Sequence, residues 1–403
     1  MIQIKRDNLH VLARRHYEEY FKKKGFLEKL EQIVEVEENL TCRNFFTVLR
    51  NQIENIIMGN PNYLNEITIN INRNYRSVMG KIHNHNSLKK KLKHYEQLQK
   101  VLKKEFEILR EKEASEIQIS FVKKKVEKVT CIIKLVNRYI QEGKSLIDKL
   151  EKVFNYDHFC RQYSKGNEKK WGAYELVKQL KIEVCPYCNR QFITVSEPNE
   201  EEKGRTRPQL DHFYSQSRFP FFAVSFFNLI PCCHVCNSNL KGNQEFSIDT
   251  HIHPYEKGFG DLVQFTLQFK EGNRQLDYLK AWYSNPDIFS IDFKVNEIEK
   301  QKYDDDDEIE LLLKRIDNNK KTFKLNSLYN SHTDYIGEIL LKSLRYNDAK
   351  IDSLCHEFPN LFPSKHDVVR VVYSNYVDTA QLDKRVLSKL TRDITQEFGI
   401  KYT

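Results

Sequence analysis

The sequence predicts a mainly α protein interrupted by one small cysteine-rich segment that a metal ion holds together. Three observations carry this prediction. Apolar residues recur every three or four positions through long stretches of the chain, two CxxC pairs stand 44 residues apart, and 403 residues with 40% hydrophobic content are enough for two or three domains with their own cores. The longest apolar run, Phe219 to Pro231, covers 13 residues and is broken by Ser225 and Asn228. That is well short of the ~20 residues a membrane span needs. The N-terminal stretch MIQIKRDNLHVLARRHYEEY lacks the apolar core of a secretory signal. A cytoplasmic protein without a transmembrane helix is expected.

Residues 1 to 165 read as a basic helical domain. Leu88, Leu92, Tyr95, Leu98, Leu102, Phe106 and Leu109 line one face of a helix that Asn86 or Ser87 can cap. Phe121, Val122, Val126, Val129, Ile133, Val136 and Ile140 keep the same period, so a helical hairpin or a short coiled-coil arm is expected. Neither stretch holds a strict heptad for long, which favours bundle packing over an extended rod. The polar segment SKGNEKK, residues 164 to 170, reads as a hinge into a second domain, 171 to 260, which holds the cysteine cluster.

A third, mainly helical domain is expected over 261 to 403. In it VQFTLQF, residues 263 to 269, alternates like a strand. The run DDDDEIELLLKRI, residues 304 to 316, places carboxylates where a helix N-terminus favours negative charge. From Phe323 to Tyr346 helical periodicity returns. No GxxxxGK[ST] string occurs, so any nucleotide hydrolysis in the function has to come from a partner.

Charge is uneven. Residues 1 to 180 carry 36 Lys and Arg against 23 Asp and Glu, whereas the remainder carries 29 against 33. A basic half suits phosphate backbones, from which it would release counterions, and equally suits solvated lysine-rich helix faces.

Nine cysteines form an odd, clustered set, with five between Cys185 and Cys236, a pattern of metal ligation rather than of a disulfide framework. Cys185-Pro-Tyr-Cys188 and Cys233-His-Val-Cys236 can each form a knuckle whose two thiolates grip one side of a tetrahedral Zn²⁺. Cys233 reproduces the two-residue gap of the first pair and Cys232 does not, so Cys232 is assigned to the core and His234 to the surface. A closed four-thiolate shell leaves no position for water, and this zinc is expected to be structural.

Between the knuckles stand Asp211-His212 and Asn228, and directly after the last cysteine stands Asn237. A carboxylate and a carboxamide oxygen suit a hard cation such as Mg²⁺, and an imidazole suits proton abstraction near neutral pH. These are the groups needed to hydrolyse a phosphodiester. NLIPCCHVCNSNLKG, residues 228 to 242, together with the Asp-His pair resembles an HNH endonuclease in its four-cysteine zinc form. The implied fold is then mainly α with an embedded ββα-metal (HNH) nuclease domain. The literal string HNH at His83 to His85 is coincidental. CPYCNR, LDHF, NLIPCC and HIHPYE further resemble the HNH subunit of Septu-type and retron-associated antiphage systems, which works with an ATPase partner.

The resemblance implies roles residue by residue. Asp211 and Asn237 would hold a catalytic Mg²⁺ or Mn²⁺, His212 would be the general base, Asn228 would brace the loop, and Lys241 would contact a phosphate of DNA. QFITV, residues 191 to 195, would be the first strand, RPQLDHF, residues 207 to 213, the second, and SEPNEEEKGRT a long hairpin tip; the helix would start near Asn237. His253 and Tyr255 are read as packing residues. Two alternatives stay open: a non-catalytic zinc-stabilised nucleic-acid or partner-binding module, and an RNase toxin using the same site.

Overall fold

The computed structural model describes residues 1–162, 170–197, 204–269 and 289–402. The chain divides into two compact units, one of Met1–His16, Cys160–Phe213 and Phe226–Thr403, the other of Tyr17–Phe159 and Tyr214–Ser225. The cysteine segment and the C-terminal helices therefore share one unit, where the sequence reading draws a boundary at 260, and Met1–His16 joins them. All but the last residue of SKGNEKK, and residues 198–203 of the SEPNEEEKGRT tip, lie outside the described residues. Among the described residues no helix is long and apolar enough to cross a membrane.

After α1 (Leu9–His16), the second unit is built from α2 (Phe26–Val36), α3 (Leu40–Asn51), α4 (Ile53–Met58), α5 (Pro61–Asn74), α6 (Arg76–Glu111) and α7 (Glu116–Val153). Local chemistry sets several starts. The side chains of Asn39, Asn60 and Ser115 accept the backbone N–H of Cys42, Tyr63 and Gln118, and Pro61 occupies the first turn of α5, where its missing N–H costs nothing. Phe21, Leu30, Phe45, Phe46, Leu49 and Ile56 are fully buried and form the core against the long helices. α6 runs unbroken through Asn86 and Ser87, so neither residue caps it; Val78, Met79 and Ile82 carry the apolar period upstream and no proline interrupts it. His83 to His85 lie inside this helix. α6 and α7 form the expected antiparallel hairpin, with Lys81 paired to Glu142 and Gln99 donating to Thr130 Oγ1 at 2.6 Å.

In the first unit, α8 (Tyr156–Arg161), which the unit boundary crosses, and α9 (Ala173–Leu180) lead into the first knuckle. Two small antiparallel sheets follow. β1 (Gln209–His212) pairs with β2 (Leu229–Cys232), and β3 (Val263–Phe269) pairs with β4 (Phe289–Val295). QFITV is not a strand of the first sheet. Its backbone turns onto the knuckle, with the Cys185 N–H donating to Gln191 O and the Ile193 N–H to Glu183 O, so it cannot ladder with 207–213. The true partner of β1 is LIPC, read in the sequence only as a flank of the second knuckle.

The remaining α-helices among the described residues are α10 (Glu297–Lys300), α11 (Asp306–Thr322), α12 (Leu325–Tyr329), α13 (Thr333–Arg345), α14 (Asp348–Glu357), α15 (Lys365–Tyr373) and α16 (Ser388–Glu397). The acidic run acts as expected: Asp305 caps α11 by accepting the Asp307 N–H at 2.9 Å. α16 is polar in sequence yet buried from Ser388 to Thr395. Its buried Lys389 and Asp393 are paired: Lys389 Nζ donates to Gly260 O at 2.7 Å and to Asp393 Oδ2 at 2.8 Å, and the same Oδ2 accepts the Phe265 N–H of β3 at 2.9 Å. Burying such a pair is tolerable only because each partner also finds these further bonds.

Candidate functional site

The first unit brings Cys185, Cys188, Cys233 and Cys236 together. All four are buried and their ligand atoms lie within 4.8 Å of one another. Tetrahedral zinc with Zn–S bonds of about 2.3 Å requires sulfurs about 3.8 Å apart, and Cys188 Sγ and Cys233 Sγ are separated by 3.9 Å. The donor set therefore fits zinc. Two backbone amides already point at the cluster, Arg190 N to Cys188 Sγ at 3.4 Å and Cys236 N to Cys233 Sγ at 3.5 Å, which favours thiolates. Hydrogen bonds from Cys185 and the other two thiols draw Cys233 well below the ordinary thiol range. Cys232 is outside the cluster, and burial followed by the nearby Asp211 charge pushes its thiol up, as suits the core role read for it. His234 is exposed.

β1, β2 and the turn of π-helix at Val235–Lys241 stand on this cluster. Asp211 faces Ile230 and His212 faces Leu229 across the sheet. Asn228, fully buried, immediately precedes β2, and its carbonyl accepts the Phe213 N–H at 3.0 Å, which fixes the backbone next to His212. The helical turn reaches back to β1 twice: Asn237 Nδ2 donates to Gln209 Oε1 at 2.9 Å, and Lys241 Nζ donates to Asp211 Oδ1 at 2.7 Å. The other carboxylate oxygen, Oδ2, accepts the Tyr187 hydroxyl at 2.7 Å. Side chains alternate along a strand, so Gln209 and Asp211 share the face toward the helical turn while His212 leaves on the other.

This geometry departs from the implied roles. Asp211 and Lys241 are each 3% exposed and hold one another. A divalent ion at Asp211 would have to expel a buried ammonium, and Lys241 cannot reach a phosphate in solvent from there. Asp211 and Asn237 do not fit a catalytic cation in this arrangement. His212 remains half-exposed. Sequence reasoning missed Tyr187 and Gln209. The period of two along β1 was the available signal for Gln209; nothing in CPYC marks its tyrosine as more than packing.

His253 and Tyr255 are buried in an aromatic cluster, the His253 ring 4.2 Å from that of Phe213 and the Tyr255 hydroxyl donating to Leu229 O at 3.1 Å. Burial, chiefly, holds the His253 imidazole at a pKa of about 3. A histidine whose folded value lies below its unfolded ~6.5 binds more protons unfolded, so stability falls as pH drops through that window, by up to about 1.4 kcal/mol per pH unit. His253→Phe is expected to flatten the stability profile of the first unit between pH 6 and 4, measured by urea midpoints; an unchanged profile refutes this.

No family model matches the chain, and no solved structure matches it. A curated protein, Protein ea31 of Escherichia phage lambda, is 37% identical over 76 residues. That stretch is 18% of this chain and 21% of that protein, so the chain spans about a fifth of the length of the relative it matches.

Proposed function

We propose that Gln209–Lys241 is the core of an HNH-type endonuclease that hydrolyses phosphodiester bonds of DNA, with His212 as the general base. The observation that carries this reading is an order along the chain: His212 ends the first strand, Asn228 precedes the second, and Asn237 sits on the helical turn that follows, all on a four-cysteine centre. A half-exposed imidazole at a strand end can take the proton of a water that attacks phosphorus, while the 3′ oxygen leaves. The products are 5′-phosphate and 3′-hydroxyl ends. A Mg²⁺ or Mn²⁺ ion, which the resemblance implies, would neutralise charge on the phosphate. No step here is routed through it, because Asp211 is committed to Lys241. The same reading makes the chain the effector of an antiphage defence system in which an ATPase partner supplies the nucleotide chemistry.

With a genomically adjacent ATPase, Mg²⁺ or Mn²⁺ and supercoiled plasmid, nicking is expected, and His212→Ala should slow it by about 10² to 10⁴-fold, the usual worth of general-base help. Nicking that ignores His212→Ala sinks the proposal. One observation favours a second reading, a non-catalytic zinc-stabilised binding module: both Asp211 oxygens serve the fold. Under it, His212→Ala leaves biological activity unchanged. An RNase using the same site would cut tRNA and spare plasmid in that assay.

A further inference from the structure

The net charge of this protein resides in one element. Residues 76–153, the α6–α7 hairpin, contain 20 Lys and Arg against 10 Asp and Glu, a net +10, while the whole chain is +9. The rest of the molecule is close to neutral. Within the hairpin the charge is ordered. Lys89, Lys93, Lys100 and Lys104 follow one another at spacings of four, seven and four, so at ~100° per residue they fall in one stripe along α6, about 22 Å long at ~1.5 Å per residue. All four are exposed. Among the described residues none of them forms an ion pair: the hairpin's carboxylates that do pair, Glu142 with Lys81 and Arg138, lie toward its base. Lys124 and Lys128, one turn apart on α7, extend the unpaired positive charge to the second helix.

We infer that this stripe is a docking surface for the phosphate backbone of a nucleic-acid duplex, and so the element that delivers substrate to the nuclease proposed above, on which reading this inference rests. An array of four ammonium groups with one carboxylate, Glu96, among them is net positive and self-repulsive in the free protein, and it gains most from a partner whose anionic charges are regular and dense. A duplex supplies one charge per ~1.7 Å of axis and releases condensed counterions when lysines replace them. A membrane is a poorer fit. Surface helices that lie in a bilayer insert a continuous apolar face, whereas Met79, Ile82 and Leu102 on α6 and Val122, Val129 and Ile140 on α7 are buried, and the exposed Leu98, Val101, Ile108, Ile117, Phe121 and Leu135 are interspersed along the chain with lysines and glutamates.

The test uses the full chain without added Mg²⁺ or Mn²⁺ and with no chelator, so that binding is read without cleavage and the four-cysteine centre is left intact, and fluorescence anisotropy with DNA and RNA duplexes of equal length. Lys89→Glu/Lys93→Glu/Lys100→Glu/Lys104→Glu should weaken binding more than tenfold at 0.1 M salt. It should also lower the slope of log affinity against log salt by about 3 to 4, one unit per lost phosphate contact. The same four positions changed to Gln, which leaves helix formers in place, should give the same slope change if circular dichroism shows that the Glu variant misfolds. Reversing Lys302, Lys314, Lys321 and Lys350, exposed residues of the other unit, should change neither quantity. Unchanged affinity and slope in a folded stripe variant overturns the inference, as does stripe-dependent binding to phosphatidylserine vesicles with none to either duplex. If the duplexes bind through the stripe and His212→Ala does not alter nicking, the docking surface stands and the nuclease assignment falls.

Discussion

Removing the metal from the four-cysteine centre, by chelation or by Cys233→Ser, is expected to unfold the first unit as a whole. Structural zinc in small domains contributes an apparent ~10 to 16 kcal/mol near neutral pH, as much as the ~5 to 15 kcal/mol total stability of an ordinary domain. The knuckles here are tied to distant parts of the chain. The Ile2 N–H donates to Pro186 O at 2.9 Å, the Tyr329 hydroxyl to Cys188 O at 2.6 Å, and the Leu387 N–H to Asn189 O at 2.6 Å. The Asn189 side chain then accepts Ser388 Oγ and Lys389 N, each at 3.1 Å, holding the start of α16. Without a bound cation four buried thiols stand crowded with nothing to hold them, and the N-terminal segment, α12 and α16 are expected to lose their anchors together. The intact chain should contain one zinc by elemental analysis, and its removal should abolish the first unit's cooperative transition while leaving helical signal from α2 to α7. A thermal midpoint that moves by less than a few degrees in the metal-free protein would show that the centre is dispensable.

What the sequence made legible follows from how local each signal is. The presence of the long helices, the acidic helix start at 304–307 and the identity of the four cysteines rest on spacing within a few residues or on the fixed reach of a CxxC knuckle, and each is found in the fold. Helix starts were less legible, because the apolar period of α6 continues past Asn86 to Val78 and a potential cap is used only where the period stops. The strand partner of β1 was misplaced because pairing is a non-local choice. QFITV has the composition of a strand, but its amides and carbonyls are taken by the knuckle beside it. Asp211, His212, Asn228 and Asn237 were singled out by type and spacing; the partners of Asp211 were not legible, since nothing in one dimension says that an ammonium 30 residues away will occupy a carboxylate.

That ammonium supplies the second large effect. Asp211→Asn or Lys241→Met should each destabilise the first unit by about 3 to 5 kcal/mol, because either change strands an uncompensated charge where both groups are 3% exposed. Tyr187→Phe, which removes a hydroxyl bonded to the charged carboxylate, should cost less, about 1.5 to 3 kcal/mol. The double variant Asp211→Leu/Lys241→Met should recover most of the loss, since replacing a buried ion pair by apolar groups of similar size is often neutral. Denaturant midpoints of the wild type, Asp211→Leu, Lys241→Met and the double variant form a cycle that measures the coupling of the pair. If Asp211 served a catalytic cation, Asp211→Asn would abolish thermal stabilisation by added Mg²⁺ or Mn²⁺ while leaving stability without those ions nearly unchanged. The expected result is the reverse, with a large loss of stability in buffer without added Mg²⁺ or Mn²⁺ and with no chelator, because β1 is clamped to the helical turn through Asp211 and that clamp is what positions His212 at the strand's end.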